Sequence, residues 1–205
     1  MSGVADAFEI FEFEPRFDLD LADLAARHKE MSLALHPDRF AGRSAAERRT
    51  ALSKAIEVNE AKRRLSDPVQ RAEVLLARLA APTGEGREPP AAPELLMEMM
   101  ERREALREAA LRRDKGAVER LCQLVKADEE RTLFQMKELF RIAFSTATQA
   151  TGARSGAEVA EGAAEAATQS PDVAADRKKL LSSLGALRYY RRFFDEAGAA
   201  LDELD

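Results

Sequence analysis

The chain contains few of the residues from which metal centres, disulfides and membrane spans are built. Its 205 residues include one cysteine, two histidines and no tryptophan. The single Cys122 allows no internal disulfide and is typical of a protein from a reducing compartment. Zinc sites need three or four cysteine- or histidine-type ligands, so this supply argues against a zinc or iron centre, and we expect no cofactor. No apolar run approaches the length of a membrane span.

Composition favours a helical protein with charged outer faces. Charged residues make up 34% of the chain, hydrophobic residues 45% and aromatic residues only 6%. A net charge of -5 argues against broad binding to nucleic acid phosphates. The N-terminal stretch MSGVADAFEIFEFEP has acids where a signal peptide needs a basic region followed by an apolar one. We therefore expect a cytoplasmic protein with neither nucleic acid nor a membrane among its partners.

The first 79 residues predict a small helical unit. After a short aromatic segment, one helical pattern begins behind Asp20, a suitable N-cap, and ends at Pro37. A second pattern runs from about Ser44 to Leu65, and a third starts at Pro68 with Asp67 as its cap. The apolar stripes expected to face inwards are Leu21, Leu24, His28, Met31 and Leu35, then Ala51, Leu52, Ala55, Ile56 and Val58, then Ala72, Leu75, Leu76 and Leu79. The first two helices suit an antiparallel hairpin.

A change in composition separates a second unit from the first. Residues 80–93, AAPTGEGREPPAAP, have the composition of a linker. Three longer helical patterns follow, at Glu94 to about Arg113, Ala117 to about Phe144 and roughly Asp176 to Leu204, and they can close a three-helix bundle. The inward stripes of the last two are Val118, Leu121, Val125, Thr132, Met136, Leu139 and Ala143, and Leu180, Leu184, Leu187, Phe194 and Leu201. Residues 145–175 are rich in Ala, Gly, Ser and Thr, and we expect a mobile loop there.

The tripeptide His36-Pro37-Asp38 in the loop LALHPDRFAG allows three interpretations. It could be the metal or catalytic pair of a small metal-dependent hydrolase, although the chain has no nucleophile elbow and no glycine-rich phosphate loop. It could be a plain helix end, where a histidine complements the helix dipole and a proline ends the helix. It could also be a loop that another protein binds. For the tripeptide alone, a plain helix end is the best explanation. Its position between two amphipathic helices, the first preceded by an aromatic segment and the second followed by Asn59-Glu60-Ala61 and a capped helix, changes that balance.

This arrangement resembles a J-domain, the module by which DnaJ-type co-chaperones engage DnaK-type chaperones. The segments FEIFEFEPRFDLDLADL, HPDRFAG, EVNEAKRRLSDPVQRAEVLL and ELLMEMMERREAL, in that order, look like the HscB family of iron–sulfur assembly co-chaperones. The resemblance covers residues from about 7 to 144 and from 178 to 204. It implies an all-α fold, with an N-terminal J-domain at residues 1–79 and a C-terminal three-helix scaffold-binding domain at residues 94–205.

The resemblance also implies a function. In the HscB family the J-domain stimulates ATP hydrolysis by a DnaK-type, HscA-like chaperone, and the C-terminal domain holds the IscU-like scaffold on which iron–sulfur clusters are built. The implied protein is a co-chaperone and not an enzyme; the alternative is a J-domain co-chaperone that serves a different client. The chain departs from the family at His28, which replaces an aromatic residue and is expected to pack rather than to bind a metal. It departs again at residues 145–175, an insertion with no counterpart.

The resemblance assigns the HPD loop and its surroundings to chaperone binding. Asp38 is implied to meet a basic residue of the chaperone, while His36 and Pro37 hold the loop. Basic side chains around the loop should steer an acidic partner and lose strength with salt. The implied chaperone-binding residues are His36, Pro37, Asp38, Arg27, Lys29 and Arg39, with Arg43 adding to the local positive charge.

The helix predicted from Glu94 to Arg113 has two apolar sides, although a bundle needs only one. At 100° per residue, the core stripe of Leu95, Met99, Leu106 and Ala110 spans about 60°. Met97 and Met100 lie on roughly the opposite side with three glutamates, and buried unpaired acids are costly, so we expect that side to meet solvent or a partner. In the family, the matching residues hold the scaffold. The implied scaffold-binding residues are Leu96, Met97, Met100, Glu101, Glu104, Glu108 and Tyr189, the last an exposed aromatic on the final helix.

Overall fold

The computed structural model describes residues 6–79, 91–152 and 171–204, with side chains described outside 146–174. These ranges contain helices and turns and no strand, so the predicted all-α fold class is confirmed. The α-helices are α1 Ala7–Ile10, α2 Leu21–Ala34, α3 Ala45–Ser66, α4 Pro68–Arg78, α5 Pro93–Leu111, α6 Lys115–Gly152 and α7 Pro171–Asp202. The chain forms two compact units, Met1–Arg78 and Leu79–Asp205. Most of the predicted linker, residues 80–90, lies outside the described residues.

The helix boundaries of the first unit follow from capping chemistry. The carboxylate of Asp20 accepts hydrogen bonds from the first backbone N–H groups of α2, and Asp67 does the same for α4, as predicted for both. Pro68 is the first residue of α4, where its missing N–H costs nothing. At the start of α3, Ser44 and Glu47 cap one another's backbone in a reciprocal capping box. Local chemistry therefore sets where these helices begin.

An aromatic segment and the α2–α3 hairpin form the core of the first unit. The segment is deeply buried, with Phe8 and Phe11 almost completely inaccessible to solvent. The core also contains Phe13, Phe17, Leu24, Val58, Leu65, Leu75 and Leu76. The predicted inward stripe of α3 is wrong at Leu52 and Ile56, which are both 60% exposed. Ala51, Val58 and Leu65 recur every seven residues and define the buried side, whereas Leu52 and Ile56 are rotated about 100° and 140° from Ala51.

Arg27 ties the aromatic segment to α2. Its guanidinium donates to the backbone carbonyls of Phe11 at 2.7 Å and Glu12 at 3.1 Å, and pairs with Asp23 at 3.2 Å. It also lies 4.1 Å from the centre of the Phe13 ring. Glu12 has a φ of 55°, in the left-handed region that non-glycine residues rarely adopt, so these contacts stabilise a strained turn.

We expect Arg27→Ala to lower the stability of the first unit by about 1–2 kcal/mol, because two carbonyls lose a charged donor. This corresponds to a fall in melting temperature of roughly 5–10 °C for a unit of this size. Thermal unfolding followed by circular dichroism is the measurement. Lys29→Ala is the matched control, since Lys29 is exposed on the same helix and should change the melting temperature little. Equal melting temperatures for the two variants would show that the contacts of Arg27 with the aromatic segment do not stabilise the first unit.

The second unit is the predicted three-helix bundle. Helices α5, α6 and α7 pack on one another in all three pairs. The buried side chains include Met99 and Leu106 on α5, Val118, Val125, Met136 and Phe140 on α6, and Leu180, Leu184 and Leu187 on α7. Ion pairs join the helices at Arg102–Asp128, 2.7 Å, and at Arg103–Glu196, where a second hydrogen bond measures 2.8 Å.

Two predictions for this unit need correction. Helix α6 extends to Gly152 and α7 begins at Pro171, so the ends of the predicted 145–175 loop are helical. Adding a residue to an existing helix costs little compared with starting one, so both helices extend into a segment whose composition alone predicts a loop. Residues 153–170 of the predicted loop lie outside the described residues. Phe194, predicted to be in the core, is only half-buried, whereas Phe193 and Tyr190 are buried, because α7 packs on both α5 and α6 and its buried side turns along its length.

Candidate protein-interaction surfaces

The HPD loop presents an exposed carboxylate on a short 3₁₀ turn. His36 caps a 3₁₀ helix, Pro37–Phe40, and its Nδ1 accepts a hydrogen bond from the backbone N–H of Asp38 at 3.4 Å. One carboxylate oxygen of Asp38 lies 3.4 Å from the same nitrogen, yet the side chain remains 89% exposed. Contacts of this length are weak, so the carboxylate is available to a partner. Within the described ranges, no group of three or more His, Cys, Asp or Glu side chains could hold a metal ion.

The basic residues near the loop differ in how they are used. Lys29 on α2 and Arg39 in the 3₁₀ turn are exposed. Arg43 lies 3.8 Å from Glu47 in an exposed pair, which contributes little to stability. The side chain of Arg27 is 38% exposed and already holds the aromatic segment. Lys29 and Arg39 are therefore the side chains that can turn most freely toward an acidic partner.

His28 joins the two helices of the hairpin, in agreement with the predicted packing role. Its Nε2 lies 2.8 Å from Oδ1 of Asn59 on α3, and its ring packs 6.5 Å from that of Phe11. Sequence reasoning missed Asn59 as the partner, since nothing local identifies which residue of α3 faces a given residue of α2. The next residue of α3 is Glu60. Hydrogen bonds from Arg63 and then Arg64 lower the pKa of Glu60 to about 2, so its carboxylate is ionised at any physiological pH.

On α5, the structure separates the two predicted sides of the helix. Met97 is 66% exposed and Met100 70% exposed, while Met99 is 2% exposed. The glutamates predicted beside the two methionines are exposed as well, and Leu96 lies half-buried at the edge. Glu104 pairs with Arg107 of the same helix at 3.3 Å, and Glu108 pairs with Arg112, directly after the end of α5, at 2.5 Å. We call the exposed side formed by Leu96, Met97, Met100, Glu101, Glu104 and Glu108 the methionine face.

Tyr189 is less exposed than predicted. It is half-buried on α7, and the guanidinium of Arg192 lies 5.5 Å from the centre of its ring. Its neighbour Tyr190 is buried, and burial raises the pKa of the Tyr190 phenol, although a hydrogen bond with Thr132 acts in the opposite direction. Thr132 in turn donates to the backbone carbonyl of Asp128 at 2.9 Å. Thr132 is buried, as predicted from its place on the inner stripe of α6.

Known proteins resemble the chain in sequence over both units. A family profile described as the HSCB C-terminal oligomerisation domain matches residues 91–155. A co-chaperone protein HscB homolog from Neisseria meningitidis is 33% identical over 143 residues, which cover 69% of this chain and 86% of the relative. The chain belongs to the HscB co-chaperone family. A second HscB homolog, from Burkholderia multivorans, is 36% identical over 124 residues, covering 60% of this chain and 70% of that protein.

Solved structures agree with this HscB assignment. Chaperone HscB from Vibrio cholerae has a TM-score of 0.66 and 25% identity, covering 98% of this chain and 99% of the other. Human co-chaperone protein HscB has a TM-score of 0.70 at 21% identity, covering 97% of this chain and 83% of that protein, and supports the fold alone. The chain therefore has a J-domain followed by a C-terminal helical bundle. Within the ranges that the structure describes, no helix is both long enough and apolar enough to cross a membrane.

Proposed function

We propose that this protein delivers an IscU-like iron–sulfur cluster scaffold to a DnaK-type, HscA-like chaperone in the cytoplasm. It also stimulates the ATPase of that chaperone and so promotes cluster assembly and transfer. The observation that carries the proposal is the presence, in one chain, of an HPD loop with an exposed carboxylate and a separate helical unit with an exposed methionine face. Both are surfaces for other proteins, and the proposed role is binding rather than catalysis by this chain.

The chaperone side of the proposal rests on Asp38. Its carboxylate is exposed at the end of a turn that Pro37 stiffens and His36 caps. A carboxylate held in this way can form a charge-assisted hydrogen bond with a basic residue of the chaperone. Lys29 and Arg39, with a smaller contribution from Arg27, give the surroundings a positive potential that speeds encounter with an acidic surface. Chaperone stimulation should therefore weaken as salt concentration rises.

The scaffold side rests on Met97 and Met100. Each is more than 60% exposed in a unit whose core is complete without it. Burying a methionine side chain contributes about 1.5–3 kcal/mol, and its unbranched shape adapts to irregular partner surfaces. The glutamates of the methionine face can pair with a basic rim on the scaffold. We assign Leu96 and Tyr189 to the edges of the same contact because both are half-buried and keep part of their apolar surface available.

Joining the two surfaces in one chain explains delivery. A scaffold held on the second unit reaches the chaperone at a high effective concentration once the J-domain has bound. The J-domain can then stimulate ATP hydrolysis when the scaffold is already at the chaperone, and not when the chaperone has no client.

Calorimetric titration of the purified scaffold into this protein tests the proposal. We expect a one-to-one complex that forms in the absence of the chaperone, because the scaffold contacts the second unit only. An absence of heat and of a co-eluting complex, together with intact stimulation of the chaperone, would instead indicate a J-domain co-chaperone for a different client.

A further inference from the structure

Leu111, the last residue of α5, lies on the same side of that helix as the methionine face. It is 87% exposed, more than any other large hydrophobic side chain that the structure describes. At 100° per residue, Leu111 is rotated about 20° from Met100 and about 40° from Met97, but about 140° from the buried Leu106. The three exposed large hydrophobic side chains described on α5 therefore share one sector of about 60°.

The end of α5 is held in an ordered turn, so Leu111 does not belong to a fraying helix end. The backbone N–H of Arg113 donates to the carbonyl of Ala110 at 3.0 Å. The backbone N–H of Asp114 donates to the carbonyl of Ala109 at 2.9 Å, which completes a Schellman motif. Arg113 adopts the left-handed φ of 55° that this motif needs, and the carboxylate of Asp114 then caps the start of α6. Because the backbone at Leu111 is already ordered, binding through this side chain requires no further ordering of the turn.

Acidic side chains separate Leu111 from the two methionines. Glu101, Glu104 and Glu108 lie between them on the exposed side of α5. The 14 residues from Met97 to Leu111 span about 21 Å of helix. The outer side of α5 therefore has an apolar end, an acidic middle and a second apolar end. A complementary surface has basic side chains between two apolar contacts that are about 21 Å apart.

We propose that Leu111 is a second apolar anchor for the scaffold, so that the scaffold lies along α5 from Met97 to Leu111. This inference rests on the proposed function, which assigns the methionine face to the scaffold. An interface of standard size covers about 800 Å² on each partner, a patch roughly 30 Å across. One scaffold can therefore contact both apolar ends if it is centred on the acidic middle of the helix, near Glu104. A scaffold centred on the two methionines would leave Leu111 at the margin of the contact.

Calorimetric titration of the purified scaffold into full-length Leu111→Ala tests the proposal. We expect a one-to-one complex whose affinity is lower than that of the unsubstituted protein by at least about fivefold. Alanine has a high helix propensity and position 111 is exposed, so the melting temperature should not fall. Leu111→Glu should weaken binding at least as much, because it places a charge against an apolar contact. Tighter binding by Leu111→Glu would instead indicate a basic surface at this point and would overturn the proposal.

A matched control and the unsubstituted protein separate the possible failures. Leu124→Ala removes another exposed leucine of the same unit, 56% exposed on α6, and should leave scaffold affinity unchanged. If the unsubstituted protein binds the scaffold and Leu111→Ala binds it equally well, this inference is overturned and the proposed function stands. If the unsubstituted protein forms no complex, both are overturned.

Two assays on Leu111→Ala identify another occupant if scaffold affinity is unchanged. Loss of self-association in sedimentation would assign Leu111 to a contact with a second copy of this chain. Loss of chaperone ATPase stimulation in the absence of scaffold would assign it to the chaperone.

Discussion

Asp38→Asn should abolish stimulation of the chaperone ATPase while leaving the fold of the protein unchanged. In the free protein the Asp38 carboxylate is 89% exposed and has one weak contact, with His36 at 3.4 Å, so removing its charge should change stability by less than about 0.5 kcal/mol. In the complex, loss of one partner of a desolvated charge pair costs roughly 2–5 kcal/mol. The lower figure already corresponds to about a 30-fold loss of productive complex.

Single-turnover hydrolysis of ATP by the purified chaperone is the measurement. His36→Gln should have the same effect, because glutamine cannot cap the 3₁₀ turn in the same geometry. Glu14→Gln is the matched control, since it neutralises an exposed acid in the same unit away from the loop. If Asp38→Asn stimulates the chaperone at the wild-type level, the J-domain does not act through this loop.

Replacing Met97 and Met100 together with alanine should weaken scaffold binding by at least ~2 kcal/mol, which is the scale of an interface hot spot. Both side chains project from the bundle, so the double variant should retain its melting temperature to within a few degrees. Stimulation of the chaperone through the J-domain should also survive, because the substitutions lie in the second unit. These two retained properties separate a lost contact from a lost fold.

Calorimetric titration with the scaffold is the measurement for this variant. Leu124→Ala serves as the control, because it removes a leucine of comparable exposure, 56%, from the same unit. Glu104→Gln and Glu108→Gln should have smaller effects that fade with salt, since both acids are exposed and already paired along α5. Unchanged affinity of the double methionine variant would show that the scaffold binds elsewhere.

Features that depend on a short stretch of chain could be predicted from the sequence. Asp20 and Asp67 cap their helices and Pro68 begins α4 as expected, because helix starts involve only residues a few positions apart. The division of α5 into a buried side and the methionine face is also a property of one helix, so 100° steps were enough to find it.

Features that depend on contact between helices could not be predicted in the same way. The exposed Leu52 and Ile56 look like core residues until the packing of α3 is known. The bonds from Arg27 to the backbone of residues 11 and 12, and from His28 to Asn59, join segments 15 to 31 residues apart. Phe194 was predicted to be in the core, but Phe193 and Tyr190 are buried instead. The reason is again contact between helices: α7 packs on both α5 and α6, so its buried side rotates along its length.

The most direct test of the central claim is the single-turnover ATPase rate of the chaperone with this protein, with the scaffold, and with both together. If one chain links client and chaperone, both together should raise the rate above the sum of the separate effects, because the bound scaffold is presented as the J-domain engages. The Met97→Ala, Met100→Ala variant should retain the scaffold-independent part of the stimulation and lose the additional part. A rate with both proteins that only equals the sum of the separate effects, at concentrations below saturation, would contradict the account.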